Sequence, residues 1–252
     1  MGRRSDDAIV QDALALHAMW KAGRLGGDIM PEDAHPSLGR SSDRLAVYFT
    51  LGMSLNYQRN SYALWRACTA MFDDPTTSWA FDPVCVVKGD CGALAEALLR
   101  HRVALQPNRH PQIWRRNAEG LLLHADASAE TLFRSQGYDL GAVREFIQTR
   151  KLDFPYLCGP KIANYWLYVM SSYLDWPIVN RAALSVAPDR HVIAASLKLG
   201  LVAAGEAHGS ALAERVAQRW EETLSDGALL PIDLHTPLWL WSRAGFPQLS
   251  HA

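Results

Sequence analysis

The sequence predicts an all-α protein, and three observations carry the prediction. Apolar residues recur at helical spacing over most of the chain, as in "DDAIVQDALALHAMWKA", where Ile9, Ala13, Leu14, His17 and Trp20 fall on one stripe. Cap or turn residues stand ahead of one apolar run after another. One stretch reads as a strand, "VCVV" between Pro83 and Lys88, and it is short.

The elements follow in order. Gly26-Gly27 is expected to end the first helix, and residues 24 to 42, rich in Gly, Pro and Ser, read as a loop. "SDRLAVYFTLGMSLNYQ" opens on Ser42-Asp43 as cap residues and is apolar nearly all round, which predicts a buried helix. "SYALWRACTAMF" forms another and "DDPTTSW" breaks it. "GDCGALAEALLRHRVAL", "HPQIWRRNAEGLLLH", "SAETLFRSQ" and "DLGAVREFIQTRK" each follow a turn or cap signal. After "LDFPYLCG" a new helix starts at Pro160, because proline suits a first turn whose N–H groups have no helical partner. "DRHVIAASLKLGLVAAG", "SALAERVAQRWEETL" and "HTPLWLWSR" complete the set. With no repeat, low-complexity tract or clear linker, residues 1–252 read as a single domain.

Composition narrows the function. A chain of 252 residues can bury one large core or two small lobes. Its nine tryptophans exceed what packing needs, so some are expected to line a pocket for a flat ligand. A formal net charge of −1 does not by itself announce a nucleic-acid binder, and any such role needs a local basic patch. Cys68, Cys85, Cys91 and Cys158 are scattered without CxxC or metal-type His/Cys spacing, which argues against zinc or iron–sulfur ligation; no metal or cofactor is expected. The N-terminus reads as a first helix rather than a signal peptide, and no run approaches the roughly 18 apolar residues of a membrane span. A cytoplasmic protein with reduced thiols is expected.

Two residues carry candidate chemistry. Between "VREFIQTRK" and Pro160, Gly159 permits a tight turn, and the N–H groups at the second helix's start can grip a phosphate. Lys161 lies in that first turn. The helix dipole and apolar neighbours there favour the neutral, nucleophilic amine, whereas the bland alternative is an exposed lysine at a helix start. Downstream, Asp189 in "VAPDRHVIAASLKLG" immediately precedes a helical run, and as local chemistry it is an N-cap.

The order hairpin, "GPKIA", helix, loop, "PDRHV", helix resembles the helix-hairpin-helix DNA glycosylases. The absence of cluster cysteines, the length and the long gap from Lys161 to Asp189 are most similar to the archaeal-type 8-oxoguanine branch. That resemblance runs discontinuously from about residue 45 to 243. It implies two helical lobes flanking a cleft, with the helix-hairpin-helix at about 142–174. It further implies a bifunctional glycosylase and abasic-site lyase, with Lys161 attacking C1′ of the damaged nucleotide and Asp189 assisting. Gln58, in "SLNYQRNSYALW", takes the position that reads the flipped base; Trp239, in "HTPLWLW", takes that of a stacking residue, and Tyr165 that of an aromatic facing the base. Pro188 adjoins Asp189 in the same pocket segment. The branch's carboxylate four residues before the tryptophan is replaced by His235, with Asp233 two residues further back as an alternative acceptor. The hairpin differs too, with "YLCGP" in place of a more glycine-rich turn.

Phosphate contacts are expected from the hairpin around Gly159 and from Arg109, Arg115, Arg116, Arg190 and His191, with Arg150 and Lys151 as further candidates. The implied partner is damaged DNA, duplex or single-stranded, bound by a monomer away from membranes. Two rival readings remain: an N-glycosidase acting on a free modified nucleoside or nucleotide, and a non-catalytic relative that keeps the fold.

Overall fold

The structure, a computed structural model, describes residues 4–25, 30–203, 205–206, 208–225, 227 and 229–250. In chain order its α-helices are α1 (Asp6–Lys21), α2 (Asp43–Ser54), α3 (Ser61–Asp73), α4 (Pro83–Lys88), α5 (Cys91–Arg100) and α6 (His110–Ala125). They continue with α7 (Ala129–Ser135), α8 (Leu140–Thr149), α9 (Pro160–Tyr173), α10 (Arg190–Leu199), α11 (Gly209–Thr223) and α12 (His235–Arg243). No strand occurs among the described residues; the nearest approach is an isolated parallel bridge between Asp139 and Val179. None of these helices is long and apolar enough to cross a membrane.

Short polar side chains start many of the helices. Asn60, Asp90, Ser128 and Asp139 each accept a backbone N–H from the first turn they precede, an arrangement worth about 1 kcal/mol apiece. The expected strand "VCVV" is instead α4. The Asp82 carboxylate accepts from Val84 N at 2.8 Å and Cys85 N at 3.2 Å, and Pro83 presets the first helical φ. These two local features outweigh the strand preference of valine. Ser42 stands at the α2 N-cap but makes no side-chain cap bond, and Asp43 reaches instead to Glu130 N at 2.7 Å, at the start of α7. Within the expected loop at 24–42, Pro31–Asp33 forms a single 3-10 turn closed by Met30 N on the Asp33 carboxylate. The stop expected at Gly26-Gly27 falls outside the described residues; α1 ends at Lys21, where Ala22 N bonds Ala18 O.

The chain forms two compact units, Met30–Asn180 and Met1–Ile29 with Arg181–Ala252. In the first, α2 is the central helix, buried from Leu45 to Ser54, as its all-round apolar sequence predicts. Tyr48 on α2 stacks on Phe81, and Trp166 on α9 donates to Thr50 on α2 at 3.1 Å. In the second, α10 packs on α12 and α11, where Trp220 donates to Ser196 at 2.9 Å in a buried contact. Arg219, nearly buried on α11, is neutralised by Asp6 and Glu222.

Candidate functional site

The connection from α8 to α9 is clamped onto α6. Asn117 donates to Pro155 O at 3.0 Å and His124 bonds the Asp153 carboxylate at 2.8 Å. Gly120 lies between them, and a Cβ there would stand 2.6 Å from Asp153 O, so the turn can lie this close to the helix because the residue is glycine. Phe154 and Leu157 are buried beneath it. The left-handed residue of the turn is Tyr156, at φ 64°; Gly159, expected to supply the unusual dihedral, has an ordinary φ of −61°. The N–H groups of Cys158 and Gly159 bond Phe154 O and Tyr156 O inside the turn, so neither is offered to a phosphate. At the N-cap, Gly159 brings no side-chain acceptor to the N–H groups of Lys161 and Ile162. Lys161 itself is exposed and makes no ion pair among the described residues. The expected desolvation by apolar neighbours is therefore not met.

Beside this turn lies the loop that carries Gln58. Tyr57, 49% exposed, meets Tyr156 edge to face at 5.5 Å, and the Arg109 guanidinium sits 5.0 Å from the Tyr156 ring. Arg59 ties the same loop to the carbonyls of Val103 and Arg102 at 2.6 and 3.1 Å. Three connections thus meet: α2–α3, α5–α6 and α8–α9. Each has one non-glycine residue at positive φ, namely Gln58, Arg102 and Tyr156. At these positions the surrounding structure holds a backbone conformation that side chains disfavour, and the three connections together form one surface. Gln58 is exposed on that surface.

Other predicted contacts have different occupations. Arg115 donates to the carbonyls of Val86, Val87 and Gly89 and pairs with Glu119, closing the end of α4. Arg116 is exposed and pairs with Glu119 at 3.0 Å. Arg150 lies 3.8 Å from the Phe146 ring. Tyr165, half-buried one turn beyond Lys161, donates its hydroxyl to Glu32 Oε1 at 2.6 Å and stacks on Tyr168.

In the other unit the predicted residues converge. Asp189 Oδ1 accepts His191 N and Val192 N, both at 2.9 Å, as the N-cap of α10. Its other oxygen accepts the indole N–H of Trp239 at 3.0 Å. The His191 ring meets Trp239 at 5.1 Å; Arg190 donates to its Nε2, which leaves Nδ1 as the donor to Ser242 Oγ. Burial foremost, with the Arg190 and Arg243 cations, holds His191 below the ordinary imidazole range, while Asp189 pulls the other way. Buried His235 accepts Ala187 N at 3.3 Å and so steadies the segment leading to Pro188 and Asp189. Trp239 is buried with Arg243 5.2 Å from its ring; it orients Asp189 more than it offers an open stacking face. Asp233 pairs with Arg181 at 3.0 Å and accepts Leu230 N, closing the 3-10 turn Pro231–Leu234.

Residue type alone does not single out Tyr57, Tyr156 or the clamp on α6. The clamp had a signal, since Asn117, Gly120 and His124 recur at spacings of three and four on one helix face. No family model matches the chain, and no curated protein is significantly similar to it in sequence.

Proposed function

We propose that the protein is a bifunctional DNA glycosylase and abasic-site lyase that excises an oxidised purine, 8-oxoguanine first among them. The observation that carries this reading is Lys161, an exposed amine in the first turn of α9, on a hairpin held rigid by α6 and flanked by an aromatic–arginine surface. Exposed Tyr57 and half-buried Tyr156 beside Arg109 suit unstacked bases and the strand backbone, and the α9 N-terminus suits one phosphate.

In the proposed reaction the Lys161 amine, once deprotonated, forms a bond to C1′ of the extruded nucleotide. The glycosidic nitrogen takes the bonding pair and the base departs. Loss of a proton from nitrogen and opening of the sugar give a Schiff base, and removal of a C2′ proton then expels the 3′ phosphate. The resemblance assigns to Asp189, whose carboxylate is oriented by three N–H donors, the positive charge that develops on the sugar. Tyr165 offers an aromatic surface to the base and Gln58 a polar edge.

Borohydride trapping tests the reading, using oligonucleotides that carry 8-oxoguanine, uracil, an alkylated base or an abasic site. Wild type is expected to form a covalent adduct with at least one of them and Lys161→Gln with none; absence of any wild-type adduct overturns the lyase mechanism. The net charge of −1 favours a second reading, cleavage of a free modified nucleoside. Binding of an oligonucleotide that weakens steeply with salt would exclude it.

A further inference from the structure

Glu32 is a buried ionisable group that the reaction above does not use. It sits in the 3-10 turn Pro31–Asp33 with no exposed surface. Oε1 accepts the Tyr165 hydroxyl at 2.6 Å, while Oε2 is buried without a hydrogen-bond partner among the described residues. A carboxylate with one oxygen dry and unpaired is costly, and protonation of that oxygen relieves the cost. Burial accordingly pushes Glu32 up to about 7, the Tyr165 bond opposing only in part. The next residue repeats the pattern, for Asp33 Oδ1 accepts the Tyr173 hydroxyl at 2.5 Å. Two carboxyl–phenol pairs therefore tie this turn to α9. The titratable groups with the largest effect on Glu32 are Tyr165 of α9 and Asp33 of its own turn, and Glu32 acts in turn on Tyr173; α3, also packed on the turn, carries Tyr62, Arg66, Cys68 and Asp73.

We propose that the contact between Pro31–Asp33 and α9 is a proton-dependent latch, closed while Glu32 is neutral and opened when it ionises, which releases Tyr165 on the helix that presents Lys161. Ionised Glu32 favours any state in which water reaches it. Lifting a three-residue turn exposes it with far less disruption than unfolding the unit. The phenol of Tyr165 stays neutral throughout, since burial and Glu32 both raise it well above its ordinary range. The effect on Lys161 rests on the lyase reading, whereas the latch does not.

Hydrogen exchange read by mass spectrometry at pH 6 and pH 8, with times scaled for intrinsic exchange, tests the latch in wild type and Glu32→Gln. Protection in residues 30–36 and in the middle of α9 is expected to fall several-fold at pH 8 in wild type and to stay constant in the variant. Equal protection at both pH values in wild type, or the same fall in the variant, overturns the proposal. Should Glu32→Gln fail to fold, Tyr165→Phe decides: it removes the one bond that Glu32 controls and leaves the Asp33–Tyr173 pair, so protection around position 165 should be low at both pH values, and wild-type behaviour there refutes the proposal. Trapping on an abasic oligonucleotide, run on the same samples, separates the two readings. A pH-dependent latch with no adduct sinks the lyase and leaves the latch; an adduct with no change in exchange sinks the latch and leaves the lyase.

Discussion

Trp239 donates its indole N–H to Asp189 Oδ2 at 3.0 Å, while Oδ1 of the same carboxylate caps α10. One aspartate thus starts a helix with one oxygen and holds the other in a fixed direction. Asp189→Asn separates the two tasks. Asparagine is as good an N-cap, but its amide nitrogen would face the Trp239 N–H, donor against donor. We expect urea denaturation to show a loss of about 1–3 kcal/mol and borohydride trapping to show no adduct. Wild-type trapping by this variant would reduce Asp189 to a cap.

The hairpin's rigidity has its own test in Gly120→Ala. The new Cβ would meet Asp153 O at 2.6 Å, a backbone oxygen that cannot swing aside as a side chain could. We expect a stability loss of about 1–3 kcal/mol, typical of overpacking, together with weaker oligonucleotide binding. Asn117→Ala, which removes the bond to Pro155 O without adding bulk, should weaken binding in the same direction. Normal binding by both variants would show that the clamp does not position the hairpin.

How far the sequence discloses this arrangement varies with the range of the interaction. The helices are legible because cap and turn residues precede them and one face of each is apolar. α4 is not, because valine favours strands and the Asp82 carboxylate decides locally against it. Asp189 and Trp239 stand out in the sequence only through a resemblance, and the bond between them depends on how α12 packs on α10. Tyr57 and Tyr156 come from loops whose meeting no local periodicity encodes. The environment of Lys161 is misjudged for the opposite reason: apolar neighbours in the sequence lie on the inner face of α9, and the lysine lies on the outer one.

The Tyr57–Tyr156–Arg109 surface makes a quantitative claim about ionic strength. Arg109 reaches over Tyr156 from an exposed position, so its charge is available to one phosphate. Arg109→Ala should weaken oligonucleotide binding and lower the slope of log affinity against log salt by about 1. Tyr57→Ala should cost about 1–3 kcal/mol of single-strand binding and leave the slope unchanged, because stacking releases no counterion. Fluorescence anisotropy across a salt series measures both. Unchanged affinity in the two variants would remove this surface from the DNA-binding reading.

Glu32 also fixes the sign of a pH effect on stability. Its carboxyl titrates at about 7 in the folded protein against an ordinary value of 4.5, so between those values the folded state holds a proton that the unfolded chain has lost. Stability contributed by this group is full below pH 4.5, declines as the pH rises through 7 and is flat beyond it. The total amounts to on the order of 3 kcal/mol. Glutamine at this position keeps an acceptor for Tyr165 but cannot titrate. The difference in unfolding free energy between wild type and Glu32→Gln, from urea titrations at pH 5, 6, 7 and 8, isolates the group from every other titration. We expect that difference to move against wild type from pH 5 to pH 8. A difference that stays constant would mean that Glu32 titrates alike in the folded and unfolded chain, and would overturn both the raised carboxyl and the latch built on it.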